Sequence, residues 1–456
     1  MEIYGVNFKN YKSLINNNVI FKEKKGFVKK IIAIYGENGA GKSNVIDSLS
    51  NLALSIRTLD NLNEFIKFRS KLMEQVKNDN LNMKDIEKVL PPIFSEYSSV
   101  NKVYADSHTI GEKGTTEIEY LLNLDNKIGK YKLTFSEENK LISESFYHVV
   151  REKRGLLFQI VKEKDKMKLF LSPVVFKNKK LKDEIKMNVE KYWGKHTFFS
   201  ILESEFKNYN PEFIATNVSK HIVNMVTGLK NISIFKKTKR GEIIGNNSRL
   251  LRRLGKGTID VSEKEKLKST ENIIDTFFSS CYKDIQSAFY KTEFEDNGKI
   301  NYLLCFKKRI GGKDRNIPYQ LESGGTKRLL KLLPLIISAV LGNIVLIDEI
   351  DQGIHDILIS SILSALDSEV KGQLIFTTHN TELMHTLTKS EVYLINSDLN
   401  GKKEIYSLSE FKIQPNNNIP KMYLDGKFDG VPYTNFSMLE EAIDLINSEE
   451  NSNEID

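Results

Sequence analysis

The chain has 456 residues, 40 % of them hydrophobic and 28 % charged, with a formal net charge of +7 at pH 7. That length allows two or three domain-sized units with large cores, and the longest apolar stretch, around Leu332 to Leu341, holds Pro334 and is too short to cross a bilayer. Cys281 and Cys305 form no CxxC pair and have no histidine at ligand spacing, which argues against a disulfide framework and a structural zinc site. The first residues run directly into a strand-like pattern without the basic start and apolar stretch of a secretion signal, so the cytoplasm is the expected location and no membrane partner is expected. The positive charge alone is too modest to argue for a nucleic-acid partner.

In chain order, Glu2 to Phe8 alternates as a strand, Val19 to Phe21 is a short apolar segment, and Lys30 to Tyr35 is a buried-strand run that ends at Gly36. A helix is predicted from Lys42, because Val45, Ile46, Leu49, Leu52, Ala53 and Ile56 follow helical spacing, and a second over Leu62 to Val76. Thr116 to Leu124, Lys130 to Phe135, Ile142 to Val150, Leu156 to Val161 and Lys168 to Leu171 read as an antiparallel meander. Residues 173–295 carry mostly helical signals at Phe198 to Phe206, Pro211 to Leu229 and Ser262 to Tyr290, which predicts an inserted helical domain. After a strand at Lys299 to Lys307, helices at Thr326 to Leu341 and Ile354 to Leu366 and another from Thr381 alternate with strands at Asn343 to Ile347, Gln373 to Thr377 and Glu391 to Ile395. That alternation predicts a mostly parallel sheet. The expected division is 1–172 and 296–445 as two lobes of one α/β head, 173–295 as the insertion, and 446–456 as a flexible acidic, Ser/Asn-rich tail.

The most specific motif is Gly36-Glu37-Asn38-Gly39-Ala40-Gly41-Lys42-Ser43-Asn44, placed between a strand and a helix. Bare backbone N–H groups in such a turn can approach a triphosphate without Cβ obstruction. Lys42 would neutralise the β and γ phosphates, Ser43 would bind Mg²⁺, and the helix start would add its positive dipole end. Ile344 to Ile347 is a buried strand that presents Asp348 and Glu349 at the sheet edge where ligands of α/β folds bind. Asp348 is expected in the Mg²⁺ shell with Ser43, and Glu349 is expected to orient or deprotonate the attacking water. Thr377-Thr378-His379 follows another buried strand and would bring His379 to the γ-phosphate, while Thr378 or Asn380 could cap the next helix. These motifs imply ATP with Mg²⁺ and assign Lys42, Glu349 and His379 to catalysis.

Glu322-Ser323-Gly324-Gly325-Thr326 lies ahead of a helix and offers a hydroxyl and bare N–H groups, a second anion site. One nucleotide cannot use both this segment and the Gly36 loop if they lie on opposite faces of one head. Ser323, Gly324 and Gly325 are therefore expected to grip the γ-phosphate bound to another copy, which predicts a homodimer through paired heads. Basic clusters at Lys177 to Lys180, Lys236 to Arg240, Arg249 to Lys256 and Lys307 to Arg315 make DNA the alternative partner.

With Asn38 and Gly39 inside the loop, Asn44 after it and Val45-Ile46-Asp47 following, the chain resembles the ABC-type ATPase heads of the SMC and RecF group. The resemblance covers roughly residues 1–172 and 296–435. It implies a P-loop head of mixed sheet plus antiparallel layer, and suggests that Phe8 to Ser13 lines the nucleotide's base and sugar. Transporter subunits usually carry Thr where Asn44 stands, and the step of 281 positions from Lys42 to Ser323 far exceeds theirs. Within the group the chain looks most like stand-alone defence ATPases related to OLD-family proteins, to RloA and AbiL-type ATPases, and to the ATPase subunits of PARIS, Septu and some retron systems. Asp348-Glu349-Ile350-Asp351-Gln352-Gly353-Ile354-His355 follows their pattern, Asp356 departs from the usual Pro, and Lys421 to Pro432 is similar to a tail pattern of the RloA-like branch. OLD-type nucleases carry a fused nuclease module with a DxD, and no DxD occurs after Ile395. The resemblance thus implies a defence ATPase acting on a separate effector, a nuclease or toxin, with a RecF-type DNA-repair ATPase as the alternative. Gln159 is the candidate for the glutamine loop of such heads.

Overall fold

The computed structural model describes residues 1–22, 28–79, 96–150, 153–164, 166–238, 241–245, 248–398, 400–414, 417–428 and 436–453. β1 (Glu2–Tyr11) and β2 (Leu14–Ile20) form a hairpin, and β3 (Ile31–Gly36) leads through the glycine-rich loop into α1 (Lys42–Ser55), then α2 (Thr58–Asp79) and the short α3 (Val100–Val103). β4 (Thr116–Leu124), β5 (Lys127–Phe135), β6 (Leu141–Val150), β7 (Lys153–Glu163) and β8 (Lys166–Leu171) extend the hairpin into a seven-stranded antiparallel sheet of order β2-β1-β4-β5-β6-β7-β8. This is the predicted meander.

Helices α4 (Lys179–Tyr192), α5 (Phe198–Phe206), α6 (Pro211–Asn217) and α7 (Lys220–Lys230) follow, then β9 (Ser233–Thr238), β10 (Gly241–Gly245), β11 (Lys256–Asp260), α8 (Lys264–Cys281), β12 (Ile285–Phe294), β13 (Lys299–Ile310) and β14 (Lys313–Pro318). The segment 173–295 is therefore not uniformly helical. The helix expected over Pro211 to Leu229 breaks at Val218, which is extended and bridges Phe176. The one expected over Ser262 to Tyr290 ends at Cys281, and β12 pairs with β13 instead. Acids of α8 hold the turnover, since Asp275 Oδ1 accepts from Ala288 N at 2.7 Å and Glu271 Oε2 from Tyr290 N at 2.6 Å.

The remaining elements are α9 (Gly324–Val340), β15 (Ile344–Ile347), α10 (Asp356–Leu366), β16 (Gln373–Thr377), α11 (Leu383–Thr386), β17 (Val392–Ser397), β18 (Lys403–Ser407), α12 (Ile419–Leu424) and α13 (Phe436–Asn453). β18, not the segment ending at Ile395, is the last strand, paired antiparallel to β17. The tail expected to be flexible from 446 is helical to Asn453, in keeping with Leu439, Ile443 and Ile446 at helical spacing.

A second seven-stranded sheet has the order β10-β9-β15-β16-β3-β17-β18, and its five central strands are parallel. Every residue of β3, β15 and β16 is buried, as expected of strands covered on both faces. The two-residue period separates two cores: Ile32, Ile34, Ile344 and Leu346 pack toward the antiparallel layer, while Ala33, Tyr35, Val345 and Ile347 pack toward α9 and α10. The fold is thus α/β, a mostly parallel sheet with an antiparallel layer against it. Gln373, fully buried, joins the layers by accepting from Ile3 N at 2.8 Å and donating to Ile3 O at 2.9 Å and Lys29 O at 3.0 Å. No helix among the described residues is long and apolar enough to cross a membrane.

Candidate nucleotide site

β15, β16 and β3 are adjacent and parallel, so Asp348 and Glu349, Thr377 to His379, and the Gly36 loop emerge side by side at one sheet edge. The loop needs glycine at Gly36, whose φ is +151° and whose Cβ would lie 2.5 Å from Ile395 O. Glu37, Asn38, Gly39, Ala40 and Gly41 complete the turn, and α1 starts at Lys42. The Lys42 ammonium donates to Gly36 O at 2.8 Å and Glu37 O at 3.0 Å. Burial lowers its pKa to about 8, against the opposing pull of Asp348, Glu349, Asp351 and Glu37.

Ser43 Oγ donates to Asp348 Oδ1 at 3.2 Å, and Thr377 Oγ1 donates to the same oxygen at 2.6 Å. The two residues predicted to hold Mg²⁺ are therefore together. A hydroxyl and a carboxylate are hard oxygen donors that suit this ion, which takes its remaining ligands from substrate phosphates and water. Among the described residues no group of three or more His, Cys, Asp or Glu could hold a metal.

Glu349 stands in the left-handed region with φ +53°, unusual for a residue with a side chain. Its N–H donates to Thr377 Oγ1 at 2.8 Å and its carbonyl accepts from Arg328 NH2 at 2.8 Å. His379 is exposed at its residue surface, and partial desolvation of its ring, followed by the Lys42 charge, holds it below the ordinary imidazole pKa. It is neutral at pH 7 and can donate one proton and accept another. Thr378 and Asn380 turn the loop and do not cap α11: Asn380 N donates to Thr378 Oγ1 at 3.0 Å and Glu382 N to Asn380 Oδ1 at 2.9 Å, while the N-cap of α11 is Glu382, without a side-chain cap bond. Asp356, where the resemblance leads one to look for Pro, accepts from Asn380 Nδ2 at 3.0 Å and ties the acidic turn to the His379 loop.

Behind the loop, Asn44 Nδ2 donates to Ser13 Oγ at 2.8 Å. Asp47 bridges Lys12 and Lys236, the latter at 2.6 Å. Burial pushes the Asp47 carboxyl up, yet the Lys236 and Lys12 charges outweigh it and hold the group below its ordinary value. The Phe8 to Ser13 segment is thus fastened to α1. Tyr423 of the Lys421 to Pro432 pattern packs its ring 6.1 Å from that of Tyr35, whose hydroxyl donates to Asn380 O at 3.0 Å, while residues 429–432 of the pattern lie outside the described residues. Gln159 lies in β7, paired with Ser145 and Phe170 in the antiparallel sheet and not in the sheet that carries the loop.

Ser323 caps α9, its Oγ accepting from Thr326 N at 3.1 Å, and Ser323 and Gly324 are exposed. Gly325 packs so closely on the acidic turn that its Cβ would lie 2.7 Å from Gly353 O. Within one copy the Gly36 loop opens from β3 and the Ser323 segment opens α9, with no hydrogen bond between the two segments among those recorded for the described residues. Arg328 was not singled out by motif. The signal was a lone cation on the buried face of α9 among Leu329, Leu330, Leu332 and Leu333. Of the basic clusters, Lys236 pairs with Asp47, Lys307 with Asp314 at 3.3 Å, and Lys308 with Glu322 at 2.8 Å, while Lys239 and Arg240 lie outside the described residues.

Residues 227–385 match the family described as "AAA domain, putative AbiEii toxin, Type IV TA system". The matched span holds Ser323, Asp348, Glu349 and His379 but not the Gly36 loop. Among solved structures the chain is similar to an SMC head bound to the C-winged helix domain of ScpA, at 16 % identity and TM-score 0.42, over 90 % of this chain and 99 % of that one. It is also similar to the SMC head domain from Thermotoga maritima, at 13 % identity and TM-score 0.35, over 89 % of this chain and 99 % of that one. No curated protein matches the chain.

Proposed function

We propose that the protein is an ATP-hydrolysing, SMC-like ATPase that pairs through its heads and governs a separate effector in defence against phage. The observation that carries the ATPase reading is the convergence of Lys42, Ser43, Asp348, Glu349 and His379 at the ends of three adjacent parallel strands. The match to AAA domains over residues 227–385 supports it.

In this reading the bare N–H groups of Gly39 and Gly41 and the start of α1 receive the β and γ phosphates, with Lys42 supplying the positive charge. Ser43 and Asp348 would hold Mg²⁺, which when bound neutralises charge on the phosphates. Glu349 takes a proton from a water as its oxygen attacks the γ-phosphorus, and the bond to the ADP oxygen breaks, giving ADP and phosphate. Neutral His379 orients that water or the γ-phosphate by a hydrogen bond. Ser323 and Gly324, exposed at the start of α9, and the half-buried Gly325 complete the site around the nucleotide of a second copy.

Light scattering after size exclusion tests pairing. With ATP and Mg²⁺, Glu349→Gln accumulates as a dimer that Lys42→Ala does not form. A Glu349→Gln protein that stays monomeric with saturating ATP overturns the paired-head reading.

A further inference from the structure

The Arg328 side chain spends its guanidinium on main chain. The residue is 8 % exposed, NH2 donates to Glu349 O at 2.8 Å and to Asp348 O at 3.4 Å, and the group lies 3.8 Å over the Phe235 ring. Its countercharge is Glu242 on β10, 3.6 Å from NH1 and shared with Lys331. Nε has no hydrogen-bond partner among the described residues. A buried cation that is only partly paired is costly, and the left-handed conformation of Glu349 adds to that cost. Both features persist because the surrounding contacts determine them.

Those contacts come from two elements. Thr377 of β16 fixes the N–H side of Glu349, and Arg328 of α9 fixes its carbonyl. The same helix starts at Ser323, and its Gly325 rests on Gly353 in the turn that follows Glu349. Helix α9 therefore touches the acidic turn at two points, at Gly325 within the segment proposed to meet a second copy's nucleotide and at Arg328 three residues beyond it.

We infer that Arg328 is the positioning residue that sets the Glu349 backbone, so that the placement of α9 governs whether Glu349 faces the attacking water. The inference rests on the reading of Glu349 as the base. A nucleotide of the second copy that draws on Ser323 then acts, through α9 and Arg328, on the hydrolysis carried out by this copy's own Glu349. Two sites linked in this way turn over cooperatively in ATP.

The test uses the full chain with Arg328→Met, which keeps length but cannot donate, and Arg328→Lys, which keeps charge and one donor direction. Steady-state turnover, binding of a fluorescent ATP analogue and thermal melting are measured for each, alone and with Glu349→Gln. Arg328→Met is expected to lower kcat by about 10²-fold, the scale of a misplaced catalytic group, with analogue affinity unchanged and the sigmoid dependence on ATP lost. Arg328→Lys recovers part of the rate and, should the Met variant fail to fold, carries the same test. In the Glu349→Gln background neither substitution slows turnover further. Wild-type kcat in a folded Arg328 variant overturns the inference and leaves the base role intact. A full additional loss on top of Glu349→Gln overturns it as well, and wild-type turnover of Glu349→Gln itself overturns the base role and this inference together.

Discussion

Lys42 has a property that ordinary surface lysines lack. Its pKa of about 8 leaves it half neutral near that pH, whereas bound phosphates favour the charged form. Nucleotide binding should therefore take up a proton at pH 8 and weaken as pH rises through it. Calorimetry in two buffers of different ionisation enthalpy reads the uptake directly, and Lys42→Ala abolishes both the binding and the uptake. Glu349→Gln keeps the binding but slows hydrolysis by about 10²- to 10⁴-fold, the usual worth of a general base. At this scale the site was legible where chemistry dictates residue type: a triphosphate needs glycine, Lys42 and Ser43, and the acids and His379 stand at strand ends. Arg328 and Thr377 were not read as site residues, because what they do depends on a carbonyl and a main-chain N–H made accessible only by the left-handed turn at Glu349.

Between elements, one buried carboxyl joins the antiparallel sheet to the helical segment. Glu144 of β6 is fully buried and accepts from Tyr131 OH at 2.8 Å, Trp193 Nε1 at 2.8 Å and Phe198 N at 2.8 Å. Burial pushes its pKa up to about 7 from 4.5, with the hydrogen bonds to Phe198, Trp193 and Tyr131 opposing. Between those two pH values the folded state binds the proton that the unfolded chain has released, so this group makes stability fall as pH rises from 4.5 to 7. Glu144→Gln should flatten that part of the profile in denaturant melts at stepped pH. Gly325→Ala places a Cβ 2.7 Å from Gly353 O and should cost about 1–3 kcal/mol by overpacking, read as a lowered melting temperature. Elements with strong period were legible: β4, α5 and β16 stand where alternation, helical spacing or an unbroken apolar run placed them. β9 and β12 were not, since β9 has only Ile234 and Phe235 as a buried apolar run before lysines, and β12 continues the composition of α8. A partner distant in sequence, β15, decides β9, and the hairpin with the next strand, β13, decides β12.

For the whole molecule, the α/β class and the two seven-stranded sheets follow from patterns spread along the chain, while the mixed character of 173–295 follows from strand pairings. The central claim is that the phosphate loop of one copy and the Ser323 segment of another make one site. Mixing Lys42→Ala with Ser323→Arg tests it most directly, because each variant lacks a different half. Either alone is inactive, and a mixed dimer retains one intact site made of the Gly36 loop from the Ser323 variant and the Ser323 segment from the Lys42 variant. If half the dimers are mixed and each keeps one of two sites, turnover should rise above the sum of the separate variants to at most about a quarter of wild type, and to less where the two sites act cooperatively. Turnover of the mixture no greater than the sum of the separate variants would contradict the shared site.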